Sequence, residues 1–111
     1  MSYLYEPLHP ALLRLIGGVA EAARHAGISV TVCGEMAGDP TVVPVLLGLG
    51  IQELSMSAVA IPEVKSVVRA MTLAGARGLV DDVLTLPTAD DVRAAVHAYM
   101  DTLGLAAKSS G

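Results

Sequence analysis

Apolar positions recur at helical spacing from Ala11 to Ala26, where Leu12, Leu13, Leu15, Ile16, Val19, Ala22 and Ala23 form a broad stripe interrupted by Arg14, Glu21 and Arg24. Gly27 is a stop signal for that helix. The pattern then changes: Ile28-Ser29-Val30-Thr31-Val32-Cys33 is rich in β-branched residues, lies between glycines and reads as a strand. Asp39 or Thr41 is positioned to cap a short helix over Val42 to Leu47, which Gly48 and Gly50 end. Ile51 to Ser57 reads as a second strand, apolar at Ile51, Leu54 and Met56. Pro62 sits in the first turn of a third helix running to about Met71, with Ile61, Val64, Val67, Val68 and Met71 on one face. Thr72 to Ala74 reads as a turn, and Ala76 to Leu84 as a helix despite Gly78. Thr88 caps a last helix over Ala89 to Leu103, where Asp90 and Asp91 suit the positive end of the dipole and Val92, Ala95, Val96, Tyr99 and Leu103 face inward. Residues 1–107 are expected to form one folded region, and Lys108-Ser109-Ser110-Gly111 a frayed, disordered tail.

Strands alternating with helices imply right-handed parallel β-α units and an α/β fold. Two parallel strands do not make a self-sufficient sheet, because each leaves an unpaired edge. The pattern therefore predicts part of a larger sheet or barrel. Composition agrees: 53% of residues are hydrophobic and 16% charged, with no Trp or Phe, and the mean hydropathy is +0.60. So apolar a chain predicts surface buried against more protein, including self-association. The net charge of −4 and scattered basic residues argue against nucleic-acid binding. A single cysteine excludes an internal disulfide framework and a multi-cysteine zinc site, and fits a reducing, cytoplasmic compartment. Every long apolar stretch is broken well short of ~18 residues, so no transmembrane helix or membrane insertion is expected. The first residues also lack the basic and apolar regions of a signal peptide.

Chemistry concentrates where the first strand ends. Cys33 is followed by Gly34-Glu35-Met36-Ala37-Gly38-Asp39-Pro40, a glycine-punctuated loop with two carboxylates. The C-terminal end of a parallel strand is where α/β folds place catalytic groups. A thiol is mostly protonated at neutral pH and can deliver a proton, whereas the alternative for a lone cysteine is a small buried hydrophobe. Gly34 and Gly38 permit backbone angles that let the loop approach a ligand. Glu35 is placed to orient the thiol or to accept from backbone donors, and Asp39 before Pro40 to start the next helix. Ser55 and Ser57 close the second strand, where bonding to local backbone is their expected role and phosphate contact the alternative. His9, His25 and His97 lie at no strand end, so a Ser-His-Asp hydrolase is not supported. Met36, Met56, Met71 and Met100 read as core or loop fillers, and the Asp81-Asp82 and Asp90-Asp91 pairs as exposed helix faces or caps.

Taken together, Cys33-Gly34-Glu35-Met36-Ala37-Gly38-Asp39, Leu46-Leu47-Gly48-Leu49-Gly50, Glu53-Leu54-Ser55-Met56-Ser57-Ala58 and Ile61-Pro62-x-Val64-Lys65 resemble the end of phosphoenolpyruvate-protein phosphotransferase, enzyme I of the bacterial sugar phosphotransferase system. The opening Leu4-Tyr5-x-Pro7-Leu8-x-Pro10 and the later Pro87-Thr88 are similar too, so the likeness extends to about Leu103. Pyruvate phosphate dikinase and phosphoenolpyruvate synthase share the Cys-Gly-Glu or Cys-Gly-Gln turn, with less likeness through the Ser-Met-Ser strand and the Ile-Pro helix. The resemblance implies a partial (β/α)8 TIM barrel: its last two β/α units, strands seven and eight, plus C-terminal helices, with residues 1–107 as the C-terminal portion of a phosphoenolpyruvate-utilising domain.

It implies Cys33 as the general acid that protonates the enolate to give pyruvate, with Gly34 and Glu35 as substrate-binding loop neighbours. The family's phosphoryl-carrying histidine, its substrate-holding arginines and its magnesium ligands lie in segments with no counterpart here. Mg2+ is thus implied for the complete enzyme, with no metal ligand assigned in this chain. Implied partners are phosphoenolpyruvate and pyruvate, the carrier protein HPr through the complete enzyme, and a further copy in a homo-oligomer. Alone, the chain is expected to be inactive. The alternatives are a non-catalytic, self-associating structural or regulatory remnant, or the end of a phosphoenolpyruvate synthase or pyruvate phosphate dikinase.

Overall fold

The computed structural model describes residues 6–105; Leu4 and Tyr5 of the opening motif and the expected tail from Lys108 lie outside the described residues. Helix α1 spans Pro10–Ala26. Proline at its first position costs no hydrogen bond there, and His9 caps the helix, its Nδ1 accepting from the Ala11 amide at 3.1 Å. The helix ends where Gly27 turns to φ 74° and the Ile28 amide reaches back to the Ala23 carbonyl at 3.0 Å. Strand β1 (Thr31–Cys33), helix α2 (Val43–Gly48) and strand β2 (Glu53–Ser55) follow. A 3-10 turn over Ala58–Ala60 leads into α3 (Ile61–Ala70), and α4 (Leu73–Val83) and α5 (Ala89–Thr102) complete the described chain.

β1 and β2 pair in parallel, with Thr31 opposite Glu53, Val32 opposite Leu54 and Cys33 opposite Ser55. Both strands are shorter than the apolar runs predict, Ile28–Cys33 and Ile51–Ser57. Among the described residues each has one neighbour, so pairing extends only as far as the two strands face each other. Val32 and Leu54 turn to the helices and pack against the core, whereas Thr31, Cys33, Glu53 and Ser55 are exposed on the opposite face. That face is polar, and the pattern of one covered and one open face follows from the two-residue alternation of strands.

The core is aliphatic, as the lack of Trp and Phe requires. Val43, Pro44, Val45 and Leu46 make α2 buried along nearly its whole length. Leu13 and Ala20 of α1, Val67 of α3, Leu79, Val80 and Val83 of α4, and Val92, Val96 and Met100 of α5 close around it. Two long-range bonds tie the ends of the described chain to this core. Arg14 donates to the Leu84 carbonyl at 3.1 Å, joining α1 to the end of α4, and Arg93 on α5 meets Glu6 at 2.6 Å.

Three expectations need correction. Helix α4 starts at Leu73, inside the segment expected to turn, because the Thr72 hydroxyl accepts from the Gly75 amide at 3.0 Å and supplies the missing cap. The stripe on α1 is only partly buried: Leu15 is 63% and Val19 48% exposed, while Leu13, Ala20 and Ala23 carry the packing. On α3, Val64 and Val67 are buried, but Ile61 and Val68 stay open to solvent. At α5 the expectation holds, with Thr88 accepting from the Asp91 amide at 3.1 Å. Thr88→Ala should lower stability by about 1 kcal/mol, read as a shifted urea midpoint with an unchanged slope.

No helix of the described residues is long and apolar enough to cross a membrane.

Candidate active-site edge at the strand ends

The C-terminal ends of β1 and β2 open into a concavity of about 690 Å³ lined by Cys33, Gly34, Glu35, Gly38, Asp39, Pro40, Ser55, Met56, Ser57 and Ala60. It is built from two loops. The first leaves β1 through Gly34 at φ 85°, a left-handed angle that a side chain would strain, so the chain turns immediately beyond the thiol. The loop then closes on itself, the Asp39 amide donating to the Met36 carbonyl at 3.3 Å while Ala37 is buried beneath it. Gly38 permits contact with the second loop: a Cβ there would lie 3.1 Å from that of Ala60 and 3.5 Å from that of Met56.

Asp39 serves this scaffold through one carboxylate oxygen and its carbonyl. Its Oδ1 accepts from the Thr41 amide at 3.0 Å and the Thr41 hydroxyl at 2.7 Å, and its carbonyl receives the Val42 and Val43 amides. Asp39 therefore organises the start of α2 through an Asx-type turn rather than as the capping residue itself, which is Val42.

Cys33 is exposed, not a buried hydrophobe. Glu35 is also exposed and lines the same concavity, but its carboxylate makes no side-chain hydrogen bond among the described residues, so it does not hold its loop. Ser55 and Ser57 depart from expectation as well. The Ser57 hydroxyl does not cap the following turn, and neither serine makes a side-chain bond to local backbone among the described residues. The histidines stand elsewhere: His9 caps α1, His25 lies 3.5 Å from Glu21 on its exposed end, and His97 is exposed on α5. Among the described residues no cluster of three His, Cys, Asp or Glu side chains is arranged to hold a metal ion. The carboxylates at the mouth are Glu35 and Asp39, whose Oδ1 is engaged by Thr41, so these side chains alone supply too few oxygens to hold Mg2+ without water or substrate oxygens.

The description "PEP-utilising enzyme, PEP-binding domain" matches residues 1–73, from the N-terminus to the first residue of α4. The chain belongs to the PEP-utilising enzyme family. Similar proteins extend the likeness through α4 and into α5. A phosphoenolpyruvate-protein phosphotransferase of Priestia megaterium is 44% identical over 92 residues, covering 83% of this chain and 16% of its own length. The protein of that name from Bacillus subtilis (strain 168) is 44% identical over 96 residues, 86% of this chain and 17% of its own. That from Haemophilus influenzae is 37% identical over 100 residues, 90% and 17%. The chain thus spans about a sixth of the length of these curated relatives.

The linear cluster Cys33-Gly34-Glu35 was legible as a unit, and the structure keeps it together at one mouth. The register that sets Ser55 beside Cys33 was not, because residues 22 apart in sequence become neighbours only through strand pairing. The hydroxyl-to-carboxylate bond from Thr31 to Glu53, 2.6 Å long on the same face, was missed for the same reason.

Proposed function

We propose that this chain is the closing segment of a (β/α)8 barrel in a phosphoenolpyruvate-protein phosphotransferase, with Cys33 as the proton donor that completes pyruvate formation. The observation that carries this reading is the exposure of the Cys33 thiol at the C-terminal end of a parallel strand, over a concavity shared by two β-α loops. Transfer of the phosphoryl group to a histidine of the complete enzyme breaks the substrate's P–O bond and leaves the enolate of pyruvate. The Cys33 S–H then gives its proton to the methylene carbon, and the thiolate recovers a proton from water. Gly34 keeps the approach to the thiol open, and Glu35 faces the reacting group from the loop. Magnesium, if bound in the complete enzyme, would supply positive charge for the phosphoryl group and would need ligands beyond those this chain offers.

Residues 1–107 are on this reading the C-terminal portion of the phosphoenolpyruvate-binding domain. Its setting is cytoplasmic, its protein acceptor beyond the enzyme histidine is HPr, and its open apolar positions Leu15, Val19 and Val68 are covered by further protein, including a second copy of the enzyme.

The isolated chain should release no pyruvate from phosphoenolpyruvate, because positioning and charge stabilisation dominate phosphoryl transfer and their groups lie outside it. A hybrid in which the chain replaces the matching segment of the Priestia megaterium relative should release pyruvate. A coupled assay on both proteins decides: turnover by the chain alone, or a folded hybrid without turnover, overturns the reading.

A further inference from the structure

We infer that Ser55 is a substrate-contacting residue of this site, its hydroxyl donating a hydrogen bond to an oxygen of the three-carbon substrate so that the methylene carbon lies over the Cys33 thiol. The inference rests on the proposed proton transfer from Cys33 and adds the group that holds the acceptor in place.

The placement follows from register. Thr31 and Glu53 are paired across the strands, and the bond between their side chains puts both on one sheet face. Two residues on, alternation returns Cys33 and Ser55 to that same face, again paired. Neighbouring strands lie about 4.8 Å apart, so a thiol and a hydroxyl stand side by side at the span of a three-carbon acid. Both residues are exposed and both line the concavity.

Among the described residues the Ser55 hydroxyl makes no hydrogen bond. Thr31, Thr41, Thr72, Thr85, Thr88 and Thr102 all engage neighbouring groups. Among the described residues Ser29, Ser55, Ser57 and Ser66 do not, and of these four only Ser55 and Ser57 line the concavity. Ser57 lies past the end of β2, where the chain turns toward α3, so Ser55 is the one in register with the thiol. A hydroxyl with no internal partner can donate to a carboxylate or enolate oxygen without breaking a bond, and a donor fixed where negative charge collects acts more strongly there than water does.

The test uses the full chain within the hybrid phosphotransferase. Ser55→Ala should raise the KM for phosphoenolpyruvate, or lower kcat/KM, by about 10- to 100-fold, the range for a hydrogen bond to a charged group. Ser55→Thr, which keeps the hydroxyl, should recover most of the loss, and Ser57→Ala should stay within about threefold. If Ser55→Ala unfolds the hybrid, Ser55→Cys, close in size and a weak donor, takes its place. An unchanged kcat/KM in Ser55→Ala, or an equal loss in Ser55→Thr and Ser55→Ala, overturns the inference while leaving Cys33 in its role. Unaffected pyruvate release in Cys33→Ala overturns the proton-donor reading and the Ser55 assignment with it.

Discussion

Replacing Cys33 by alanine in the hybrid enzyme is expected to slow pyruvate formation by about 10²- to 10⁴-fold, the range lost when a positioned general acid is removed. The two half-reactions should separate. Phosphoryl transfer breaks a P–O bond that the thiol does not touch, so phosphorylation of the enzyme histidine should continue in Cys33→Ala. The enolate left behind must then find a proton in water. The discriminating measurement is single turnover with labelled phosphoenolpyruvate, comparing phosphoenzyme formation with pyruvate formation. Loss of both at equal rates would make Cys33 a structural residue of the mouth; loss of the second alone identifies the proton donor. Cys33→Ser sharpens the comparison, because a hydroxyl keeps the geometry but is a far weaker acid than a thiol. It should fall near the alanine variant, not near the parent.

The helices were legible because their ends carry local chemistry. Pro10 and Gly27 bound α1, Pro62 opens α3 and Thr88 opens α5, and each signal acts within one turn of chain. The start of α4 escaped notice because Thr72-Leu73-Ala74-Gly75 carries a glycine where a helix former is expected. Packing explains that glycine: a Cβ at position 75 would come within 3.0 Å of the Tyr99 hydroxyl oxygen, so α5 lies against the first turn of α4. Burial was harder to foresee than periodicity. A stripe such as Leu12 to Ala23 says that α1 is amphipathic but not which part meets a neighbour, and Leu15 and Val19 stay largely exposed. Strand lengths were overestimated for a related reason: an apolar run records what a strand is able to pair with, while the ladder needs a partner opposite each residue.

The site divides along the same line. Cys33, Gly34 and Glu35 are contiguous, so their common position at a strand end was visible without a structure. Ser55 was legible at the end of the second strand and Gly38 in the first loop, but the pairing of Ser55 with Cys33 and the contact of Gly38 with Ala60 are relations between distant segments that no local pattern carries. The expectation that Ser55 and Ser57 bond to local backbone failed because the turn after β2 closes with main-chain groups alone, the Ala60 amide meeting the Ser57 carbonyl at 3.0 Å. With the backbone satisfied that way, the hydroxyls are left to the mouth.

Gly48→Ala should be the most damaging small change to the scaffold behind that mouth, lowering stability by about 3 kcal/mol and the melting midpoint by on the order of 10 °C. Helix propensity alone argues the reverse, since Gly48 is the last residue of α2 and alanine is favoured over glycine there by up to about 1 kcal/mol. Contact decides the sign. A Cβ at position 48 would run into the Ala76 carbonyl oxygen, a backbone atom unable to step aside, and would lie 2.6 Å from Val80 Cγ2 and 2.8 Å from the Ala76 carbonyl carbon. To make room, α2 must move away from α4, and α2 carries the buried Val43, Pro44, Val45 and Leu46 on which the core closes. Movement of α2 also drags the Asp39–Thr41 turn and, through it, the loop that begins at Cys33. The matched control is Gly18→Ala on α1, where nothing lies within 4 Å of the added carbon and the position is exposed. There propensity acts unopposed and the protein should gain about 0.5–1 kcal/mol. Urea unfolding of the two variants tests the packing of α2 on α4: opposite signs are expected, and two stabilising substitutions would mean that α4 does not press on Gly48 in solution.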